Sequence, residues 1–155
     1  GRQQLAGTAQ ATALGDYVRE SVDRFRLLRP EAEVTTQVAP ESRRQRIAVQ
    51  PGLAHALLNL MQNALDASLH NGSHTVILHA AIDGSRVEFV IGDHGDGLSA
   101  HRTVSLPTVS DKPDGLGIGL ALARSTIERM HGELHARSDA GGTFVHVTLP
   151  RAERA

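Results

Sequence analysis

Residues 74–91 read HTVILHAAIDGSRVEFVI, and their pattern narrows the choice of fold more than any other segment. Apolar residues alternate or run together on both sides of Asp83-Gly84, a dipeptide typical of tight turns between antiparallel strands. The pattern predicts a β-hairpin with strands over 74–82 and 86–91. A doubly wound nucleotide-binding fold would place helices between consecutive strands. The hairpin therefore argues against a Rossmann fold.

Helical periodicity appears on both sides of this hairpin. Apolar residues at helical spacing predict helices over 14–29, 51–70 and 116–130. A proline opens the second helix and a proline follows the first, as expected at helix boundaries. Gly132 is expected in the C′ position that closes the third helix.

Four further segments complete the predicted architecture. β-prone residues predict short strands over 33–38, 46–49, 133–138 and 143–149. The order of elements is that of an α+β protein, because hairpins and helices follow one another without strict alternation. We expect a two-layer α/β sandwich in which three helices pack on one face of a mixed sheet of about five strands.

The composition fits one globular domain. The chain has 155 residues, of which 40% are hydrophobic and 21% charged. We expect 15–150 to form the domain, 1–14 to be a linker or the end of a preceding domain, and 151–155 to be a C-terminal tail. No apolar run approaches the roughly 18 residues that a membrane helix needs.

Charge and residue usage exclude several classes of function. The net charge of −1 and the presence of only three Phe, one Tyr and no Trp argue against nucleic-acid binding. The absence of cysteine excludes disulfides and thiolate catalysis. It also fits a reducing compartment, and we expect a cytoplasmic location.

The second predicted helix carries an unusual polar stripe. At 100° per residue, six polar side chains fall within an arc of roughly 100°. They are His55, Asn59, Gln62, Asn63, Asp66 and His70. A solvated helix face would more often carry Lys, Arg and Glu. Asn59 and Asn63 are one turn apart, so their amide oxygens could face one Mg²⁺ ion and leave positions for phosphate.

A carboxylate follows the second strand of the hairpin, in the segment IGDHGDG over 91–97. An ionised Asp93 can only accept hydrogen bonds, which suits the exocyclic amine of adenine and disfavours the carbonyl of guanine. Two glycines after it allow close approach of the backbone to a ligand. A calcium loop is the competing interpretation, but its twelfth-position glutamate is absent.

A third motif, KPDGLGIGL over 112–120, joins a long predicted loop (92–115) to the third helix. Exposed backbone N–H groups at a helix N-terminus can hold an anion. The segment is not a Walker A loop, which would require Gly-Lys-Ser or Gly-Lys-Thr. Lys112 is the one lysine of the chain, and its ammonium could reach a phosphate from the loop.

The motifs together resemble those of the ATP-binding domain of sensor histidine kinases, in the superfamily shared by DNA gyrase, the Hsp90 chaperone and MutL. Residues 58–64 resemble the N box, 93–97 the G1 box, 115–119 the G2 box, and 142–144 the closing Gly-Thr-x-Phe element. The resemblance covers about residues 15–150. It implies a Bergerat fold that carries an ATP lid.

The resemblance also implies roles for individual residues. Asn63 would coordinate Mg²⁺ with help from Asn59, Asp93 would bind adenine, and Lys112 would reach the phosphates. The implied catalytic residues are Asn59, Asn63 and Lys112. The implied nucleotide-binding residues are Asn59, Asn63, Asp66, Asp93, Gly95, Gly97, Leu98, Lys112, Gly115, Leu116, Gly117, Ile118, Gly119, Leu120 and Thr143.

The predicted lid has two notable features. Ser110-Asp111-Lys112 resembles the Thr-Thr-Lys of short-lid kinases, such as nitrogen-regulation and redox-responsive sensors. Thr108 and Val109 stand where such kinases often carry the phenylalanines of the F box. This departure bears on how the lid packs against the acceptor domain.

A kinase of this kind needs an acceptor, which we expect outside this chain. None of the nine histidines is followed by Asp or Glu, as the acceptor histidine of the family usually is. The expected partners are a response regulator and a dimerisation domain that carries the acceptor histidine. We expect this fragment to be monomeric and its parent protein to be a homodimer. Two alternatives remain: a standalone serine kinase of the anti-sigma-factor type, and a nucleotide-sensing adaptor without transfer activity.

Overall fold

The computed structural model describes residues 10–93, 104–105, 116–139 and 142–152. The helices are α1 (Leu14–Leu28), α2 (Pro51–His70) and α3 (Leu116–Arg129), with a short 3₁₀ turn at Pro40–Ser42. The strands are β1 (Gln10–Ala13), β2 (Glu33–Val38), β3 (Arg46–Val49), β4 (Thr75–Asp83), β5 (Arg86–Gly92), β6 (Val104–Ser105), β7 (Glu133–Asp139) and β8 (Gly142–Pro150). All three predicted helices are confirmed, with ends within one residue of the prediction.

The main sheet is mixed, as predicted. Its strand order is β2-β4-β5-β8-β7-β6. β2 runs parallel to β4, and every other neighbouring pair is antiparallel. Five of these strands have six to nine residues and β6 has only two, which agrees with the prediction of about five strands.

The three helices cover one face of this sheet and form the core with it. From the helices, Phe25, Leu57 and Leu65 are fully buried. Leu78 and Phe89 meet them from the sheet and are likewise fully buried. Each side chain of this size contributes about 1.5–3 kcal/mol on burial, so the layer contact is the main source of stability. It also fixes the position of α2 over the strands.

The first strands require a correction to the predicted organisation. Residues 10–13 form β1, which pairs antiparallel with β3 in a separate two-stranded sheet. Leu14 begins α1, its side chain is fully buried, and its N–H donates to Gln45 O at 2.9 Å. Residues 10–14, expected within a linker or the end of a preceding domain, therefore pack against the rest of the described domain.

The C-terminal boundary also lies further out than predicted. Arg151 N–H donates to Ser85 O at 2.7 Å, and Arg151 O accepts from Ala48 N–H at 2.8 Å. The Arg151 side chain adds a hydrogen bond from Nε to Arg46 O at 3.1 Å. The predicted tail over 151–155 thus begins after Arg151.

The end of α3 differs from the prediction by one residue. His131, with φ of 67°, occupies the left-handed C′ position that was expected for Gly132. Its N–H donates to Glu128 O, and Gly132 N–H donates to Ile127 O, each at 3.0 Å, which is the Schellman pattern. A Cβ on Gly132 would lie 2.5 Å from Thr148 O. The glycine is required for close approach to β8, and the histidine adopts the strained backbone conformation.

Candidate functional site

Side chains from three of the four predicted motifs, and a buried leucine from the fourth, meet at one small cavity. α2 supplies Asn63, the end of β5 supplies Asp93, β8 supplies Thr143, and α3 supplies Leu120. Apolar side chains complete the wall, namely Leu60, Ala64, Ala67, Ile91 and Val145. The free space measures about 20 Å³, enough for about one water molecule.

Hydrogen bonds between β5 and β8 hold the polar groups on the strand side. Asp93 follows β5 and has 3% of its surface exposed. Thr143 N–H donates to Asp93 Oδ1 at 3.0 Å, and Asp93 N–H donates to Thr143 O at 3.2 Å. The Thr143 hydroxyl lies 2.8 Å from Ser138 Oγ on β7. Asp93, Thr143 and Ser138, which we call the strand wall, are therefore fixed relative to one another.

Gly92, next to Asp93, supports the strand wall from the face of the sheet opposite the cavity. Because side chains alternate along a strand, Ile91 and Asp93 face the cavity and Gly92 faces away. A Cβ on Gly92 would lie 2.5 Å from two atoms of the Phe144 ring. The aromatic ring packs over the glycine backbone and leaves no space for a side chain next to Asp93.

On the helix side of the cavity, one buried polar atom lacks a hydrogen bond to any described residue. The Asn63 side chain is half-buried, yet its Nδ2 atom is fully buried and has no hydrogen-bond partner in the described part of the chain. The two ends of an amide exchange by a 180° rotation, so the same position can present either a donor or a carbonyl oxygen. We call Asn63, with the adjacent turn of α2, the helix wall.

The other members of the predicted polar stripe do not line this cavity. Asn59 is half-buried one turn before Asn63. Asp66 is exposed, and its carboxylate accepts from Arg29 Nη1 at 3.2 Å. The Asp66 carboxylate thus pairs with Arg29 at the surface, outside this cavity, and its role in nucleotide binding stays a prediction.

Many of the predicted phosphate-side residues lie outside the described residues. Of the predicted nucleotide-binding residues, these are Gly95, Gly97, Leu98, Lys112 and Gly115, and the lid residues Thr108 and Val109 lie outside them as well. Leu116, Gly117, Ile118 and Gly119 form the first turn of α3, which begins where the sequence predicts. Leu120 is buried against the cavity. The described part of the site therefore consists of Asn63, Asp93, Thr143 and the start of α3.

Sequence reasoning missed the apolar lining and Ser138. Leu60, Ala64 and Ala67 follow one another at helical spacing, so the hydrophobic pattern contained a signal for one shared face. Ser138 has no such signal. Its contact with Thr143 depends on the register of β7 against β8, where the two residues are opposite each other.

A second cavity of the fold contains none of the predicted motifs. A larger cavity of about 170 Å³ lies at the far ends of α2 and α3, next to Gln50 and His131. Within the described residues, no three His, Cys, Asp or Glu side chains are arranged to hold a metal ion. None of the described helices has both the length and the apolar character to traverse a lipid bilayer.

The fold and the site together define the chain as a helix-covered α/β sandwich of the histidine kinase catalytic type. The catalytic domain of histidine kinase ThkA superposes with a TM-score of 0.68 at 17% identity, over 94% of this chain and 97% of that domain. ThkA in complex with the response regulator protein TrrA matches with a TM-score of 0.67 at 17% identity, over 92% of this chain and 42% of ThkA. These likenesses show the fold.

Sequence comparison gives the family. Residues 48–153 match the model of the histidine kinase-, DNA gyrase B- and HSP90-like ATPases. The chain belongs to this family, whose domains bind ATP, and it is the ATPase catalytic domain of the sensor histidine kinase type.

The curated relatives are sensor proteins. The C4-dicarboxylate transport sensor protein DctS of Rhodobacter capsulatus is 30% identical over 92% of this chain and 26% of DctS. The sensor histidine kinase ZraS of Klebsiella oxytoca is 36% identical over 68% of this chain and 23% of ZraS. The chain thus spans about a quarter of the length of these relatives.

Proposed function

We propose that this domain binds Mg-ATP and donates the γ-phosphoryl group to a histidine on a separate dimerisation domain of a two-component sensor kinase. One observation carries the proposal: Asn63, Asp93 and Thr143, distant in sequence, line the same cavity in a chain of an ATP-binding family. The phosphorylated histidine would then supply a response regulator.

The strand wall supports adenine as the base. Thr143 N–H already donates to one oxygen of Asp93, which orients the carboxylate. An ionised carboxylate accepts several hydrogen bonds and donates none. Asp93 would therefore accept from the exocyclic amine of adenine, while the carbonyl of guanine at that position would meet a second acceptor.

The helix wall supports a magnesium ion. Mg²⁺ prefers oxygen ligands and commonly binds through one or two side chains together with substrate phosphates. The unpartnered amide end of Asn63 fits this requirement, because rotation of the amide places its carbonyl oxygen there. Asn63 would hold the ion, and Asn59, one turn earlier, would assist it or orient a phosphate. The ion would neutralise charge on the phosphates during transfer.

The phosphate-side residues remain part of the proposal on sequence grounds. Backbone N–H groups of Gly115, Gly117 and Gly119 would face the phosphates at the start of α3, and Lys112 would add a positive charge from the lid. Gly95, Gly97 and Leu98 would lie near the base and sugar. The short-lid subgroup is proposed from Ser110-Asp111-Lys112.

The absence of a suitable base at Asn59 favours transfer over hydrolysis. An amide cannot accept the proton of an attacking water molecule, so Asn59 cannot act as a general base. A histidine imidazole is already nucleophilic and needs positioning more than deprotonation. The domain would therefore hydrolyse ATP slowly and react when an acceptor histidine is supplied.

The named relatives support the partners proposed for the whole protein. DctS and ZraS are sensor proteins, and ThkA was solved in complex with a response regulator. We propose that this domain works within a homodimeric parent, on the cytoplasmic side, and serves a receiver domain. The isolated chain would be monomeric, since dimerisation would depend on the acceptor domain.

Transfer in trans tests this proposal. The chain is incubated with radiolabelled Mg-ATP, alone and with a purified dimerisation domain from a sensor kinase. We expect acid-labile label on the added domain and none on the chain alone. Acid-stable label on a serine of an added anti-sigma-type substrate would favour the serine kinase instead. Nucleotide binding without transfer to any histidine-containing acceptor would favour an adaptor.

A further inference from the structure

Ser138 lies directly behind Thr143, on the neighbouring strand. The two residues are paired in the register of β7 against β8, and their hydroxyl oxygens are 2.8 Å apart. Thr143 lines the cavity, whereas Ser138 touches it only through Thr143. The Ser138 side chain is half-buried, so this hydrogen bond is partly shielded from water.

The backbone of Thr143 is already fixed by Asp93. Its N–H donates to Asp93 Oδ1 at 3.0 Å, and its carbonyl accepts from Asp93 N–H at 3.2 Å. The remaining variable is the direction of the two hydroxyl protons. If the Ser138 hydroxyl donates to Thr143 Oγ1, the Thr143 proton is available to another acceptor. If Thr143 donates to Ser138, the Thr143 hydroxyl can act toward the cavity only as an acceptor.

We propose that Ser138 is a positioning residue that makes Thr143 a hydrogen-bond donor toward the base. This inference rests on the proposed adenine site. Ser138 donates to Thr143 Oγ1, and the Thr143 proton is then directed to a ring nitrogen beside the exocyclic amine, either N1 or N7. Asp93 accepts from the amine and Thr143 donates to the ring nitrogen.

This donor and acceptor pair is specific for adenine. Adenine presents an amine donor next to a ring-nitrogen acceptor, which matches an acceptor beside a donor on the protein. Guanine carries a carbonyl where adenine carries the amine, so Asp93 would meet another acceptor. Without Ser138, Thr143 would lose its fixed proton direction, and part of this discrimination would be lost.

Calorimetric titration with ADP and two analogues tests the inference. 1-Deaza-ADP lacks N1 and 7-deaza-ADP lacks N7, and the wild-type chain should bind one of them less tightly than ADP. Ser138→Ala should weaken ADP binding by about three- to tenfold, the range for one hydrogen bond. It should also bind ADP and the sensitive analogue with more nearly equal affinity.

Thr143→Val provides the second variant, because it removes the hydroxyl and keeps the shape. If Ser138 acts through Thr143, adding Ser138→Ala to Thr143→Val weakens ADP binding no further. Ser125→Ala is the matched control. Ser125 Oγ accepts from Arg129 on the exposed face of α3, at 3.0 Å, so its loss should leave ADP affinity unchanged.

Three results would overturn the inference in a wild-type chain that binds ADP. They are unchanged ADP affinity in Ser138→Ala, additive losses in the double variant, and equal wild-type affinity for ADP and both analogues. The analogue series uses only wild-type protein, so equal affinity for ADP and both analogues overturns the inference even if Ser138→Ala fails to fold. Failure of the folded wild type to bind ADP would instead contradict the adenine site itself, and this inference with it.

Discussion

The strand wall and the helix wall face the same cavity but satisfy their polar groups differently. On the strand wall, Asp93, Thr143 and Ser138 form hydrogen bonds with one another across three strands. On the helix wall, the buried Nδ2 of Asn63 has no partner among the described residues. The polar groups of the strand wall are thus hydrogen-bonded to one another, whereas the helix wall keeps one buried polar atom without a partner among the described residues.

The energetic consequence is a local cost on the helix wall. A buried polar group without a partner destabilises the fold by about 1–3 kcal/mol. Proteins retain such groups mainly at functional sites, where stability and activity conflict. The proposed function matches this difference: the strands would recognise the base, and α2 would bind a ligand-borne ion.

Removal of the Asp93 carboxylate should have the largest effect on binding. We expect Asp93→Ala to weaken ADP affinity about 10- to 150-fold, the range for a hydrogen bond to a charged group. Calorimetric titration measures this loss. Asp83→Ala, at the exposed end of β4, is the matched control and should bind ADP normally. Normal affinity in Asp93→Ala would remove the strand wall from base recognition.

A methyl group at Gly92 should disturb the strand wall from behind. The Cβ of Gly92→Ala would lie 2.5 Å from the Phe144 ring, so the ring must move. We expect a loss of about 1–3 kcal/mol in the free energy of unfolding, measured with urea. Combining it with Phe144→Leu should cost less than the sum of the two single changes. Strict additivity would contradict the steric explanation.

The same kind of substitution should have opposite effects on the two walls. Thr143→Val removes a hydroxyl that is hydrogen-bonded to Ser138, and should destabilise the fold by about 1 kcal/mol. Asn63→Leu removes a buried group that has no partner in the described structure, and should stabilise the fold by about 1 kcal/mol. Urea unfolding measures both. Equal destabilisation by the two changes would show that the walls do not differ.

The smallest effect concerns pH and should leave both walls unaffected. Desolvation lowers the pKa of His79, on β4, below its ordinary value of 6.5. The unfolded chain then binds a proton more readily than the folded one, so His79 reduces stability as the pH falls below 6.5. His79→Gln should remove this part of the acid-induced loss without changing ADP affinity. Thermal unfolding at pH 7.5 and at pH 5.5 checks it.

Periodicity and turn chemistry were sufficient to predict the main sheet and its helices. Pro51 and Asn71-Gly72 bracket α2 because each has a backbone preference that begins or ends a helix. β1 has no such signal, because its residues form a strand only by pairing with β3, more than 30 residues away. The C′ position of α3 was misassigned because contact between Gly132 and β8 is a tertiary constraint.

The site shows the same division between local and tertiary information. Residue chemistry predicted Asn63 and Asp93, the family resemblance added Thr143, and the structure brings the three residues to one cavity. Residue chemistry could not indicate that Asp66 pairs with Arg29, because that contact joins α2 to the end of α1 at the surface. Residue chemistry also could not reveal Ser138, because its contact with Thr143 depends on the register of β7 against β8.

If the strand wall recognises the base and the helix wall binds the ion, variants of the two walls differ in how ADP binding depends on magnesium. Wild type, Asn63→Ala and Asp93→Ala are titrated with ADP, with and without Mg²⁺. We predict that Asn63→Ala retains the metal-free affinity of wild type and loses the increase caused by Mg²⁺, while Asp93→Ala is weak in both conditions. Magnesium enhancement that survives in Asn63→Ala, or metal-free binding that is lost with it, would contradict the account.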